Sequence, residues 1–336
     1  MTPLQRRPEP RFDWFVPIDG DGEHIGTLRA ERPPTFDFLR QVVETAEQCG
    51  FHSLLIPTRF ANGLFEETAP LAETWTTATA LAAVTSRVRF LVAVRPGFIS
   101  TGLFAQMAAT LDRISSGRLD INVVPGGIQG DFGRLGEASD HATRYARAEE
   151  FIAACRKLWE APAPAVFEGK HVRLNGAVVS PGPMGDGPAF YLGGASDEAL
   201  ALAGHQADVY LAWIQPRDAI ARHLGLADAS FAAAGRTPVY GLRTHLVVRD
   251  TEPGAWKAAG ELISQASEVV RGQRRAVFAG TPMVGQRAQA QEAEDHRIGP
   301  HLWNGISTVR VNCGTALVGT PEQVAGELLA YWRLGI

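Results

Sequence analysis

An eightfold β/α barrel is the fold this sequence predicts, and three observations predict it. Short apolar, β-branched runs alternate with longer amphipathic ones from Arg11 onward, the rhythm of repeated βα units and a parallel sheet. The length, 336 residues, suits a β/α barrel built as one domain. The first strand is followed by Gly20-Asp-Gly-Glu-His-Ile-Gly26, one residue too long for the GxGxxG turn that the alternative doubly wound sheet would place there.

The units follow in order. Phe12–Ile18 reads as the first strand, and Thr35–Gln48 as a helix with Leu39, Val42, Val43 and Ala46 on one face. His52–Pro57 is the second strand, followed by a long loop from Thr58 to about Leu71, a length that points to function. Leu71–Thr85 reads as helix, Arg89–Pro96 as strand, Thr101–Ser115 as helix and Leu119–Val124 as strand. A helix from Thr143 to Trp159 precedes a Pro- and Gly-rich stretch, Ala161–Gly187, with a short hairpin expected around Phe167–Lys170. Pro188–Gly194, Asp208–Ile214 and Val239–Val248 are three further strands, with helices at Asp197–His205 and Arg217–Ala234 between them.

The polar segment Ala266–Arg297 reads as a mobile insertion or lid within about 266–300. Ala316–Gly319 is a short strand and Pro321–Trp332 a last helix with proline at its first position. Seven strands that each feed a helix make a barrel whose final strand is not found in the chain. Residues 1–10 read as a disordered leader, and residues 11–336 as a single barrel domain.

Composition narrows the function. Apolar content of 45%, charged content of 20% and a net charge of −4 describe a globular protein with no electrostatic case for nucleic acid. Cys49, Cys155 and Cys313 form no CxxC pair, and no run of 18 apolar residues occurs, so a reduced, cytoplasmic protein without a membrane span is expected. The histidines show no metal-ligand spacing, and no Walker A, GxSxG or HExxH motif is present.

In a barrel the site lies where the strands give out at their C-terminal ends. There stand Asp19 and Asp21, Thr58, Arg95, Asn122 with Pro125-Gly-Gly127, Gly193-Gly-Ala-Ser196, Trp213, and Arg243 with His245. The glycine pair could simply permit a tight turn and Ser196 could simply cap a helix. The free N–H groups of that helix start would also favour an anion. Arg243 and His245 are two residues apart on one extended run, so both point to one side, unless each is solvated at a strand end. An arginine beside His245 would hold it neutral and suit it to act as a base.

These residues and their neighbours carry a resemblance. Phe15–Gly22, Leu54–Thr58, Phe90–Pro96, Ala108–Ser115, Tyr191–Ser196, Leu211–Trp213, Gly241–His245 and Asn312–Gly319 together resemble the luciferase-like flavin monooxygenases. The nearest resemblance is to the two-component alkanesulfonate monooxygenases, over essentially the whole length. It implies reduced FMN as a co-substrate from a separate NAD(P)H-dependent flavin reductase, dioxygen as oxidant, sulfite and an aldehyde as products, and a homodimer or homotetramer. It assigns catalysis to Arg243, His245 and Trp213, a sulfonate contact to Arg310, and flavin contacts to Asn122, Tyr145, Gly194, Ala195 and Ser196. It implies no metal, and it makes Ala266–Arg297 the lid and places the missing strand after Ile336.

The sequence departs from the resemblance in two loops. Asp19 stands where those enzymes have histidine, and the loop from Thr58 lacks their cysteine. Asp19, Thr58, Arg59 and Asn62 are therefore expected to line a polar substrate pocket, suited to a hydroxyl-rich sulfonate such as sulfoquinovose. A flavin-binding barrel without catalysis, and a luciferase-like monooxygenase or deazaflavin-dependent oxidoreductase acting on a non-sulfonate substrate, are the other readings.

Overall fold

The computed structural model describes residues 9–126, 129–160, 162–279, 296–310 and 312–336. Most of the expected leader, and positions 280–295 of the expected lid, lie outside the described residues. Strands β1 (Asp13–Phe15), β2 (Ser53–Ile56), β3 (Arg89–Val94) and β4 (Leu119–Val123) pair in parallel and in chain order. A hairpin of β5 (Ala165–Glu168) and β6 (Arg173–Ala177) stands apart. The parallel order then resumes with β7 (Phe190–Gly193), β8 (Val209–Trp213) and β9 (Tyr240–Arg243).

Helices alternate with these strands as a β/α barrel requires. They are α1 (Phe36–Gln48), α2 (Thr74–Ala83), α3 (Thr101–Ile114), the short α4 (Gln129–Arg134), α5 (His141–Glu160), α6 (Asp197–Gln206) and α7 (Arg217–Ala233). Helix α1 starts where Thr35 accepts a hydrogen bond from the Phe38 N–H, and it buries Leu39, Val43 and Ala46, the face its spacing predicts. Strand β3 is buried along almost its whole length rather than on alternate residues, because a parallel sheet is covered on both faces. Aromatic and aliphatic side chains such as Phe90, Phe104, Phe151 and Phe190 fill the main core.

The run read as one strand over Val239–Val248 is two strands. At Thr244 the chain leaves the main sheet, and β10 (His245–Val248) pairs in parallel with β12 (Ala316–Gly319), which also holds the antiparallel β11 (Leu302–Trp303). The cause is a second apolar cluster. Val247, Ala316 and Val318 pack there with Ile25, Ile306 and Val309, and with Ala255, Ala259 and Ile263 of α8 (Glu252–Ser264). Helices α9 (Glu268–Ala279) and α10 (Pro321–Trp332) complete the fold.

Among the described residues the main sheet has seven strands, the number read from the sequence, with β1 and β9 at its two ends. The ends approach each other through side chains, since the Arg243 guanidinium lies 4.3 Å over the Phe15 ring. Arg243 and His245 thus straddle the break between two sheets. No helix among the described residues is long and apolar enough to cross a membrane.

Candidate active site

A cavity of about 280 Å³ opens at the C-terminal ends of the strands. At one part of its wall the chain turns from β7 into α6. Gly194 has φ of +149°, and a Cβ there would sit 2.6 Å from Ala199 Cβ and 3.3 Å from the Tyr145 hydroxyl. Only glycine permits this close approach. Ser196 caps α6 by accepting from the Ala199 N–H, and its Oγ lies 3.1 Å from His141 Nε2. Burial pushes the Tyr145 hydroxyl up to about 12, so it remains a neutral donor. The Tyr210 hydroxyl donates to the Gly194 carbonyl and therefore accepts from His223 Nε2 at 2.8 Å, which fixes the turn from behind. Hydroxyls, a glycine turn and a helix start make an oxyanion cradle. Asp197 and Glu198 in the first turn of α6 oppose an anion, and His141 Nε2 lies 3.3 Å from Glu198.

Cations gather at another part of the wall. Arg243 pairs in register with Trp213, and its backbone carbonyl accepts from the Ile214 N–H at 2.9 Å. Its Nε and Nη2, and the Nε of Arg310, have no hydrogen-bond partner among the described residues. Burial first, and the nearby Arg59, push Arg243 down to about 10 against the pull of Asp19 and Cys313. Burial, then Arg243 and Arg59, push Arg310 down to about 9. Asp19 is the carboxylate that faces them, with Oδ2 accepting from Arg59 Nε at 2.9 Å and Oδ1 from the Gly63 N–H at 2.7 Å. Among the described residues, Arg59, Arg243 and Arg310 against Asp19 sum to 3 − 1 = +2. Buried charge without compensation is costly, so such a cluster favours an anion.

His245 joins this cluster from the far side of the sheet break. Its Nε2 lies 2.9 Å from the Cys313 carbonyl, which can only accept, so Nε2 carries the proton and Nδ1 is the acceptor nitrogen. Burial, then Arg310 and Arg243, push it down to about 3. The residue before Cys313, Asn312, has φ of +79°, a left-handed turn that sets the position of that carbonyl. Among the described residues no group of three or more His, Cys, Asp or Glu side chains could hold a metal.

Thr58, Asn122, Tyr145, Gly194, Ala195, Ser196, Trp213 and Arg243 all line the one cavity. His245 and Arg310 act on it through Arg243 rather than through its wall. Asp19 and Asn62 sit behind it. Asn62 donates to the carbonyls of Asp19 and Pro70 and accepts from the N–H groups of Leu64 and Phe65, so its amide is fully engaged within the protein. The expected substrate contact of Asn62 therefore has no spare donor or acceptor in this arrangement. Asn312, Thr315 and Gln215 also line the cavity and were not foreseen as contacts. Asn312 and Thr315 lie in a stretch whose resemblance was legible, but nothing local in the sequence marks them as lining residues.

Fold and site together define a β/α-barrel protein with an oxyanion cradle and a buried arginine cluster at the rim of its strands. Residues 11–336 match the family described as luciferase-like monooxygenase, and the chain belongs to that family. Solved structures with the same fold include a riboflavin lyase with modified FMN and its substrate riboflavin, 19% identical with a TM-score of 0.77, the match covering 97% of this chain and 85% of that one. An EDTA monooxygenase from Chelativorans sp. BNC1 is 18% identical with a TM-score of 0.75, covering 97% and 87%. The oxygenating constituent of 3,6-diketocamphane monooxygenase from Pseudomonas putida, in complex with FMN, is 18% identical with a TM-score of 0.64, covering 89% and 83%. At these identities the likeness carries the fold alone.

Proposed function

We propose that this protein is the oxygenase of a two-component system that cleaves the C–S bond of an organosulfonate with dioxygen, releasing sulfite and an aldehyde. Reduced FMN would come from a separate NAD(P)H-dependent reductase and supplies the electrons that activate dioxygen. The observation that carries the reading is the arginine cluster, a buried charge of +2 with unpaired donors on Arg243 and Arg310. A guanidinium offers paired N–H groups to a tetrahedral oxyanion, which is what a sulfonate presents. FMN bound to one of the fold relatives, a modified FMN bound to another, and EDTA, itself a polyanion, as the substrate of a third, are in keeping with this assignment.

The chain's own residues fit the cofactor. The Gly194 turn packs tightly on the start of α6, and a phosphate in the cavity there would meet Tyr145 and Ser196 as hydroxyl donors. Asn122, from β4, would meet the flavin ring, and Trp213 and its neighbours would wall off water. Arg243 would hold the sulfonate from the cavity wall, with Arg310 adding positive charge behind it. That anion offsets the Arg310 and Arg243 share of the depression of His245, while burial, its largest cause, remains. Nδ1 would be its accepting nitrogen, because Nε2 is committed to the Cys313 carbonyl.

Thr58, Gln215, Asn312 and Thr315 add polar groups to the wall, and they support a hydroxyl-bearing substrate such as sulfoquinovose over a plain alkanesulfonate. The test is sulfite release from sulfoquinovose and from octanesulfonate with reduced FMN and oxygen. Sulfite is expected from sulfoquinovose in preference, and Arg243→Ala and His245→Ala are expected to abolish it while remaining folded. Faster turnover of octanesulfonate would overturn the substrate assignment, and no sulfite from either would overturn the activity.

A further inference from the structure

We infer that Arg274, on α9, is a positioning residue that sets the spacing of the two loop-borne arginines of the cluster. Arg274 lies in the polar segment that the sequence suggests is a lid, yet it is 2% exposed. Its Nε donates to the Val309 carbonyl at 3.1 Å and its Nη2 to the Phe65 carbonyl at 3.0 Å. One planar, rigid guanidinium therefore bridges two loops that lie far apart in sequence.

Each loop carries one arginine of the cluster. Val309 directly precedes Arg310, whose own N–H is held by the Ile306 carbonyl. On the other side the connection beyond Phe65 runs through three contacts. The Phe65 N–H donates to Asn62, Asn62 donates to the Asp19 carbonyl, and the Asp19 carboxylate holds Arg59. Arg243 sits on a strand and needs no such support, whereas Arg59 and Arg310 have only loops beneath them. Two like charges held on loops repel, and without a brace the loops would move apart.

The brace is itself anchored. Arg271, one turn earlier, donates to the Ile263 carbonyl at 2.9 Å and to Thr308 Oγ1 at 3.3 Å. Just before α9, the Ser267 N–H donates to the Gly26 carbonyl, and the Gly26 N–H donates to the Leu64 carbonyl. Gly26 has φ of +78°, and a Cβ there would lie 2.6 Å from Val309 Cγ1 and 2.9 Å from Ala266 Cβ. The loops around Gly26, Leu64 and Val309 thus meet the start of α9 at one point. This part of the expected lid is a strut. Its ligand, an oxyanion at the cluster, rests on the sulfonate reading, but the bracing does not.

The test compares wild type with Arg274→Gln and Arg274→Lys by hydrogen exchange and by anion binding. Exchange is expected to quicken in residues 58–71 and 305–310 together, with 240–248 unchanged. Methanesulfonate affinity is expected to fall about tenfold or more, since small misplacements of binding groups are costly, while FMN affinity is unchanged. Faster exchange in one loop alone, in neither, or across the whole chain would overturn the inference. So would unchanged methanesulfonate affinity despite loosened loops. If wild type binds no methanesulfonate, the sulfonate reading falls, and the exchange pattern alone upholds or overturns the strut.

Discussion

Replacing Asp19 by asparagine probes the arginine cluster from the carboxylate that faces it. The substitution keeps the size of the side chain and one acceptor, so the Gly63 N–H at 2.7 Å can still be satisfied. What is lost is the negative charge 2.9 Å from Arg59, and the cluster's net charge rises from +2 to +3. Breaking a buried pair by removing one partner costs about 3–5 kcal/mol, and the retained hydrogen bond places this case near about 3. With an unfolding entropy of about 2.1 cal/mol/K per residue, 336 residues give about 0.7 kcal/mol/K, and the Tm should fall by about 4 °C. Thermal melts at low ionic strength, with and without added sulfate, measure this. Sulfate should restore more stability to Asp19→Asn than to wild type, because the anion replaces the missing charge. A Tm within about 1 °C of wild type, or an equal sulfate effect in both proteins, would refute the reasoning.

Three further outcomes follow from the same geometry. His245 is held down to about 3 from 6.5, so the stability of its neutral, buried form is complete above pH 6.5 and is lost as pH falls toward 3, by up to about 1.4 kcal/mol per pH unit. Acid melts of His245→Asn should therefore lose stability less steeply than wild type across that window, and parallel curves would count against the buried imidazole. Gly194→Val places a side chain against Ala199 and should weaken FMN binding about tenfold or more, equal to about 1.4 kcal/mol, as read by flavin fluorescence. Tyr145→Phe removes one hydroxyl from the same cradle and should lower FMN affinity while the fold stays intact, which near-ultraviolet circular dichroism would verify.

Helix α1 was legible because Leu39, Val43 and Ala46 share one face both in sequence and in space. The strands β2 and β3 were legible because burial on both sides writes a nearly continuous apolar run, and β4 because Leu119, Ile121 and Val123 alternate with polar residues. The break at Thr244 was not, since both halves of Val239–Val248 are equally β-prone and the partner that draws the second half away is Ala316–Gly319. Local pattern carries no information about a strand so far along the chain. The same limit applies to polar loop residues. A sequence shows that Asn62 can hydrogen-bond, but not that its partners are the backbone groups of Asp19, Leu64, Phe65 and Pro70. Arg274 was hidden for the converse reason, because in a polar helix a buried arginine reads as an exposed one. Arg243 beside His245 did predict a neutral imidazole. The depth of the effect depends on burial and on Arg310, which only the fold brings near.

The most direct test of the account is a single turnover in which reduced FMN bound to the protein is mixed with oxygen and sulfoquinovose, and sulfite and hydrogen peroxide are both measured. The arginine cluster predicts sulfite in step with the flavin oxidised by wild type, and hydrogen peroxide without sulfite from Arg243→Ala. Peroxide without sulfite from wild type would contradict it.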